Sequence, residues 1–191
     1  MMALLQHLRV DDVVPQPWKN GGGQTRELLA WPGPSDWWLR ISVADIESDG
    51  PFSAYPGIDR WFGVLSGEGV ELAWQHQAVR RMHAGHSLLH FDGGSPPECR
   101  LLHGSTRDLN VMHRRGLGRV MVRRAHPDSR PPAGHARFAL FTVEPIVVHR
   151  PERADLRTAA WTLVWGEGSD CTVDVLPDGH AWWVGFDEHA S

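Results

Sequence analysis

The sequence predicts an all-β protein built from two related sandwich or barrel units, and three observations carry that prediction. The first is punctuation: 20 glycines and 14 prolines in 191 residues leave few windows for an uninterrupted amphipathic helix. Between the interruptions lie short apolar or alternating runs, "TRELLAW", "WWLRISVAD", "RWFGVLSG", "GVELAW", "HSLLHF", "CRLLHG", "RVMVRR", "FALFTV", "WTLVWG" and "CTVDVL". Many short strands at regular spacing indicate a sandwich or barrel. The third observation is a repeat. "VLSGEGVEL", Val64 to Leu72, returns as "LVWGEGSDC", Leu163 to Cys171, each an apolar strand, Gly-Glu-Gly, then a second strand. A hairpin turn alone accounts for Gly-Glu-Gly, but the matched apolar flanks favour two β units. "RRAHPDSRPPAGHAR", Arg123 to Arg137, is polar and rich in Pro and Gly, and reads as a linker or long loop. The expected division is therefore residues 1–125 and 126–191, the second unit shorter, degenerate and completed by strands from the N-terminal half.

Composition narrows the function. With 19 basic against 23 acidic residues the net charge is −4, which argues against nucleic acid or an anionic membrane as partner. "MMALLQHLRVDD" has too short an apolar run for a signal peptide, and no run approaches the roughly 20 apolar residues of a spanning helix. Cys99 and Cys171 form no CxxC, so neither a disulfide framework nor a thiolate metal site is suggested. Two reduced cysteines in a cytoplasmic protein are expected, with a single pairing between them left open.

The first chemically unusual stretch is "PWKNGGGQTRE", Pro17 to Glu27. A phosphate loop of the GxxxxGK[ST] type places lysine after its glycines and opens a helix. Here Lys19 precedes Gly21–Gly23, and the following residues are strand-like; a dinucleotide fingerprint fails for want of a βαβ unit. The glycines instead allow unusual backbone conformations and bring N–H groups toward a ligand, with Lys19 and Asn20 beside them. A plain glycine turn feeding a strand is the structural alternative. Next, "WWLRISVAD" alternates, so Trp37, Leu39, Ile41 and Val43 are expected on an apolar core face. Trp38, Arg40, Ser42 and Ala44 fall on the other face, which suits solvent or a polar pocket.

"DGPFSAYPGIDRWFGVLSGEG", Asp49 to Gly69, resembles the first motif of the cupin superfamily, G(x)5HxH(x)3–4E(x)6G. Counting back from Gly67, Arg60 stands where cupins place a metal-binding glutamate, and HxH becomes Ser53-Ala54-Tyr55. The second motif, PxGxxH, has a counterpart in "HAGHSL" with His83, Gly85 and Leu88. The resemblance implies that the four usual metal positions hold Ser53, Tyr55, Arg60 and Leu88, none an ordinary metal ligand and one a permanent cation. An arginine fork binds a carboxylate through two parallel hydrogen bonds. Arg40 and Arg60 together suit a dicarboxylate, or one carboxylate and a carbonyl. For Arg60 the structural alternative is an ion pair with Asp59 or Asp49.

"PWKNGGGQTRE", "LRISVADIESDGPFSAYPGIDRWFGVLSGEGVEL" and "DLNVMHRR" (Asp108 to Arg115) together resemble the HutD/Ves family of bicupin proteins. That resemblance implies two cupin-like barrels and, for the HutD branch, a regulatory role in histidine utilisation through a small pathway metabolite. Formylglutamate or formiminoglutamate-like carboxylates are the implied ligands. The expected ligand-binding set is Lys19, Asn20, Gly22, Thr25, Arg40, Ser42, Tyr55, Arg60, Asp108 and Asn110, with no catalytic residue, no metal and no cofactor. Asp108 and Asn110 share a face if extended and are placed to orient Lys19 or Arg60; an Asx turn is their alternative. Carried along the repeat, Arg60 becomes Ala159, Tyr55 becomes Ala154 and Ser53 becomes Glu152, so a single ligand site is expected, in the first unit.

Three rival functions follow from other residues. His83, His86 and His90 in "HAGHSLLH" have a spacing that suggests a metalloenzyme, although strand-turn-strand fits the segment better than a helix. Tyr55 or Asp108 as acid or base describes a metal-free isomerase or lyase. Ten tryptophans, including Trp37-Trp38 and Trp182-Trp183, describe an interaction module or homodimer.

Overall fold

Alternation in the sequence becomes strand pairing almost throughout. The computed structural model describes residues 5–151 and 153–188, and there the chain forms eighteen strands and one short 3-10 turn, Val10–Asp12. Glu152, the repeat counterpart of Ser53, lies outside the described residues. No helix among the described residues is long and apolar enough to cross a membrane. Both cysteines are buried free thiols.

The chain divides into two units: Val13–Gly116, and the residues through Asp12 together with those from Leu117 onward. Strand β1 (Gln6–Arg9) belongs to the latter. The unit Val13–Gly116 contains β2 (Gln16–Pro17), β3 (Gly23–Trp31), β4 (Leu39–Ile46), β5 (Gly50–Pro51) and β6 (Ile58–Ser66). It continues with β7 (Val70–Ala73), β8 (Arg80–Met82), β9 (Leu89–Asp92), β10 (Glu98–Leu101) and β11 (Thr106–Arg114). A six-stranded sheet, β2-β3-β4-β11-β6-β9, and a four-stranded sheet, β5-β10-β7-β8, account for all ten. Phe62 and Val64 from β6 pack with Val70, Leu72, Met82 and Cys99 from the smaller sheet, forming the unit's core. Each such side chain contributes roughly 1.5–3 kcal/mol on burial.

The other unit adds β12 (Arg119–Arg124), β13 (Arg137–Thr142), β14 (Ile146–His149), β15 (Leu156–Thr158), β16 (Thr162–Glu167), β17 (Thr172–Asp174) and β18 (Ala181–Asp187). They form a five-stranded sheet, β1-β16-β13-β18-β12, and a three-stranded one, β15-β14-β17. Phe138, Leu140, Val148, Val173 and Trp183 are central to its core. Trp182 and Trp183 are 2% and 0% exposed; they are core residues of a strand buried on both faces, not an interface.

Two boundaries differ from the expected 1–125 and 126–191. Residues up to Asp12 and from Leu117 to Ala125 go with the later unit, because β1 pairs with β16 and β12 with β18. The stretch expected to link the units is therefore a loop inside one of them, between β12 and β13, with Pro131 and Pro132 buried. The tryptophan pair at the start of β4 also departs from strict alternation. The strand begins only at Leu39, Trp38 is buried and Trp37 is half-buried, its ring lying under the guanidinium groups of Arg40 and Arg114 at 5.9 and 5.8 Å.

The Gly-Glu-Gly repeat closes no hairpin in either unit. β6 belongs to the six-stranded sheet and β7 to the four-stranded one; β16 and β17 are likewise in different sheets. Each turn carries the chain from one sheet to the other. Gly67 has φ +93°, and an added Cβ would stand 2.6 Å from the Ser105 carbonyl oxygen, whereas Gly168 has φ +88° with open space around it. Gly168→Ala is expected to cost about 1 kcal/mol, from backbone strain alone. Gly67→Ala adds a clash with fixed backbone and is expected to cost about 2–4 kcal/mol. Urea denaturation of the two variants measures the difference.

Candidate functional site

The inward face of the six-stranded sheet is polar where it opens. Strand parity puts Thr25 and Glu27 of β3, Arg40, Ser42 and Ala44 of β4, Asp108, Asn110 and Met112 of β11, and Arg60 of β6 on that face. The register aligns them: Asn110 lies opposite Ser42 and Phe62, and Met112 lies between Arg40 and Arg60. The other face of the same strands carries Leu39, Ile41, Val43, Leu109 and Val111, all 0% exposed. This division is why a short polar patch can be held rigidly within a hydrophobic sheet.

A cavity of about 540 Å³ opens on this face, within the range of small-molecule sites. Eight of the ten expected residues line it: Lys19, Asn20, Thr25, Arg40, Ser42, Tyr55, Arg60 and Asn110. Gly22 and Asp108 do not line it. The N–H of Gly22 donates to Asn20 Oδ1 at 3.1 Å and that of Gly21 to the Trp18 carbonyl at 3.0 Å. The glycine N–H groups expected to reach a ligand are thus used within their own turn. Gly23 has a separate reason to lack a side chain, since a Cβ there would collide with the carbonyl oxygen of Asp45.

Arg60 is the most unusual group in the cavity. Its residue exposure is 7% and neither Asp59 nor Asp49 pairs with it. Asp59 accepts from Arg115 Nε at 3.0 Å, and Asp49 Oδ1 accepts from the Leu101 N–H. The Arg60 guanidinium donates instead to a neutral oxygen, Asn110 Oδ1, from Nε at 2.9 Å and Nη2 at 2.6 Å. It lies over the rings of Phe52 and Phe91, at 4.5 and 5.6 Å, a favourable cation–π placement. Burial pulls its pKa down to about 10, against the opposing influence of Tyr55, Asp108 and Cys99, so it stays cationic at neutral pH.

The other cations are held differently. Arg40 Nε donates to Glu27 Oε2 at 2.6 Å, a part-buried pair that fixes the direction of the fork. Lys19 is exposed at the rim and makes no ion pair among the described residues. Trp18 Nε1 donates to Thr25 Oγ1 at 2.7 Å, tying the Lys19 turn to β3.

The register positions where cupins carry metal ligands hold Ser53, Tyr55 and Arg60 on the cavity wall, while Leu88 packs against Gly63. A divalent cation does not fit this set: on the cavity wall it would meet one permanent cation and two hydroxyl side chains, with no histidine or carboxylate at these register positions. His83 and His86 lie edge to face with ring centroids 5.4 Å apart, but His90 does not join them. His83 Nδ1 contacts the Glu68 carbonyl at 2.9 Å, His86 Nδ1 accepts from the His83 N–H, and His90 stacks on Trp61 at 4.4 Å. No group of three His, Cys, Asp or Glu among the described residues is placed to hold a metal. The arrangement can seat a small anion on a buried guanidinium, with hydroxyl, amide and ammonium groups around it.

Sequence reasoning missed Trp18, Phe52 and Met112 in the lining and Glu27 behind Arg40. Met112 shares parity with Asp108 and Asn110, and Glu27 with Thr25, so period-two counting would have found both. Phe52 carries no such signal.

Comparison with known proteins agrees with the fold. The sequence pattern described as HutD matches residues 10–183. An uncharacterized 21.2 kDa protein in the hutC 3′ region of Pseudomonas putida is 39% identical over 114 residues, 59% of this chain and 60% of that protein. Protein Ves of Cronobacter sakazakii is 35% identical over 111 residues, 56% of this chain and 59% of its own. The chain thus spans about three-fifths of the curated relatives it matches. The crystal structure of a conserved Pseudomonas aeruginosa protein of unknown function superposes with a TM-score of 0.85, 25% identity, and coverage of 97% of this chain and 100% of that one. HutD from Pseudomonas fluorescens gives the same TM-score at 24% identity, covering 98% and 100% of the two chains. A tryptophan-to-tyrosine variant of the cupin-fold oxalate decarboxylase of Bacillus subtilis, at 10% identity and TM-score 0.58, covering 97% and 78%, shares the fold alone. With the family pattern spanning nearly all of it, and two cupin-like β units beneath that pattern, this chain belongs to the HutD family.

Proposed function

We propose that the protein is a cytoplasmic, metal-independent binding protein for a small carboxylate, which couples the level of that metabolite to the regulation of histidine utilisation. The observation that carries this reading is Arg60: a desolvated guanidinium with no carboxylate partner among the described residues, held by Asn110 at a cavity of metabolite size. A cation buried at such cost is best explained by an anion that completes it. The P. putida relative in the hutC 3′ region supports the metabolic context. Formylglutamate and formiminoglutamate carry two carboxylates, one for Arg60 on the floor and one for the Arg40 and Lys19 side. Urocanate carries one. Since each charge-assisted hydrogen bond contributes about 1.5–3 kcal/mol, the glutamate derivatives should bind at least about tenfold more tightly than urocanate. Calorimetric titration of the purified protein with all three measures this, and absence of saturable binding by any of them refutes the reading. The isomerase or lyase alternative must rely on Tyr55, because Asp108 does not reach the cavity wall.

A further inference from the structure

Asp108 does not line the cavity, yet it is the most deeply buried acid among the described residues, 0% exposed. Its Oδ2 accepts from Thr106 Oγ1 at 2.9 Å, and its Oδ1 is buried without any partner. Asp108 shares its sheet face with Arg60 of β6 and looks toward the core that holds Cys99 of β10, while Asp45 of β4 lies on the opposite face and acts on it only through its negative charge. Burial holds the Cys99 thiol neutral, pushed up to about 12. Arg60 attracts Asp108 without pairing with it: both bonding nitrogens go to Asn110 on the same strand as Asp108. An ionised carboxylate in this place is the natural competitor of a bound carboxylate for the Arg60 charge.

We propose that Asp108 makes carboxylate capture by Arg60 proton-linked: the cavity takes the anion while Asp108 is protonated, and binding draws a proton onto Asp108 when it is not. This inference rests on the carboxylate-binding reading above. In the uptake step a buffer acid gives up its proton, an O–H bond forms on Asp108, and the ligand's negative charge replaces that of Asp108 beside Arg60. Burial, the largest influence, already pushes the Asp108 pKa up to about 8, with the Thr106 hydrogen bond and Arg60 opposing it. An anion that neutralises Arg60 removes that opposition and drives protonation further.

Two measurements test this. Infrared spectra of the ligand-free protein at about pH 6, where ordinary carboxyls are ionised, should show one protonated-carboxyl band. The band should vanish near pH 8, be absent in Asp108→Asn, and persist to higher pH in Arg60→Ala. Absence of the band, or an unchanged midpoint in Arg60→Ala, overturns the coupling without reference to any ligand. Titration with formylglutamate in buffers of different ionisation enthalpy should then show uptake approaching one proton above the midpoint. Affinity should fall by up to about tenfold per pH unit there, and Asp108→Asn should abolish both effects. Binding without proton uptake or pH dependence overturns the linkage and leaves the binding reading intact. No binding at any pH defeats the ligand assignment, and the infrared result alone then decides whether Arg60 and Asp108 are coupled.

Discussion

Arg60→Ala is expected to weaken carboxylate binding by about 100-fold or more and to leave the protein folded. Two charge-assisted hydrogen bonds at about 1.5–3 kcal/mol each set the size of the loss. The folding side of the prediction comes from what Arg60 does not do. It makes no ion pair among the described residues, and Asp108, the buried acid whose charge it opposes, takes up a proton when the guanidinium is removed; Asn110 Oδ1 lines the cavity and can turn to water. Replacing a buried charge that has no ion-pair partner by an apolar side chain of similar reach removes its desolvation cost. Arg60→Met, packed on Phe52 and Phe91, should accordingly melt at or above the temperature of the parent while binding as poorly as Arg60→Ala. Calorimetric titration and thermal melting of the two variants separate a ligand-binding arginine from a structural one. A melting temperature that drops sharply in Arg60→Met, with affinity unchanged, would assign Arg60 to the core instead.

Much of this site is legible in the sequence because strand parity and turn spacing are local rules. Arg40 and Ser42 alternate against Leu39, Ile41 and Val43, and the structure separates them onto opposite faces as the period requires. Arg60 is found by its distance from Gly67, which fixes where it stands on β6 relative to the turn. What stays illegible depends on partners far along the chain. That Arg40 is held by Glu27 follows from β3 pairing with β4, and no local pattern announces it. β18 is buried on both faces, so it has no alternation to read, and Trp182 and Trp183 resemble interface residues in sequence. The unit boundaries fail for the same reason: β1 and β12 look like parts of the nearest unit until their partners, β16 and β18, are known. The glycine triplet shows a third limit. Composition suggests N–H groups for a ligand, but the triplet's geometry is set by its own turn and by the approach of β3 to Asp45.

Asp45 should carry the largest single electrostatic contribution to folding. It sits between β3 and β11 and gathers three donors: Arg26 Nη1 at 2.6 Å, Arg107 Nε at 2.6 Å and Gln24 Nε2 at 2.9 Å. Its side chain is 13% exposed, as is that of Arg26, against 28% for Arg107, so solvent screens these pairs only partly. Asp45→Asn is expected to cost about 2–4 kcal/mol, since two part-buried guanidiniums lose their counter-charge. Burial alone would raise this carboxyl, but the hydrogen bonds from Arg107, Arg26 and Gln24 outweigh it and hold the pKa below its ordinary 3.8. The stabilisation is therefore complete above that value and disappears as pH falls through the lowered pKa of the folded state. Asp108, one residue along β11 from Arg107, has the opposite sign: its pKa is raised, so its contribution is complete below 3.8 and is lost as pH rises toward about 8. Denaturant unfolding at neutral pH and near pH 3 should show the Asp45→Asn penalty shrinking at the acid end. A penalty as large in acid as at neutrality would mean that Asp45 acts through packing and not through its charge.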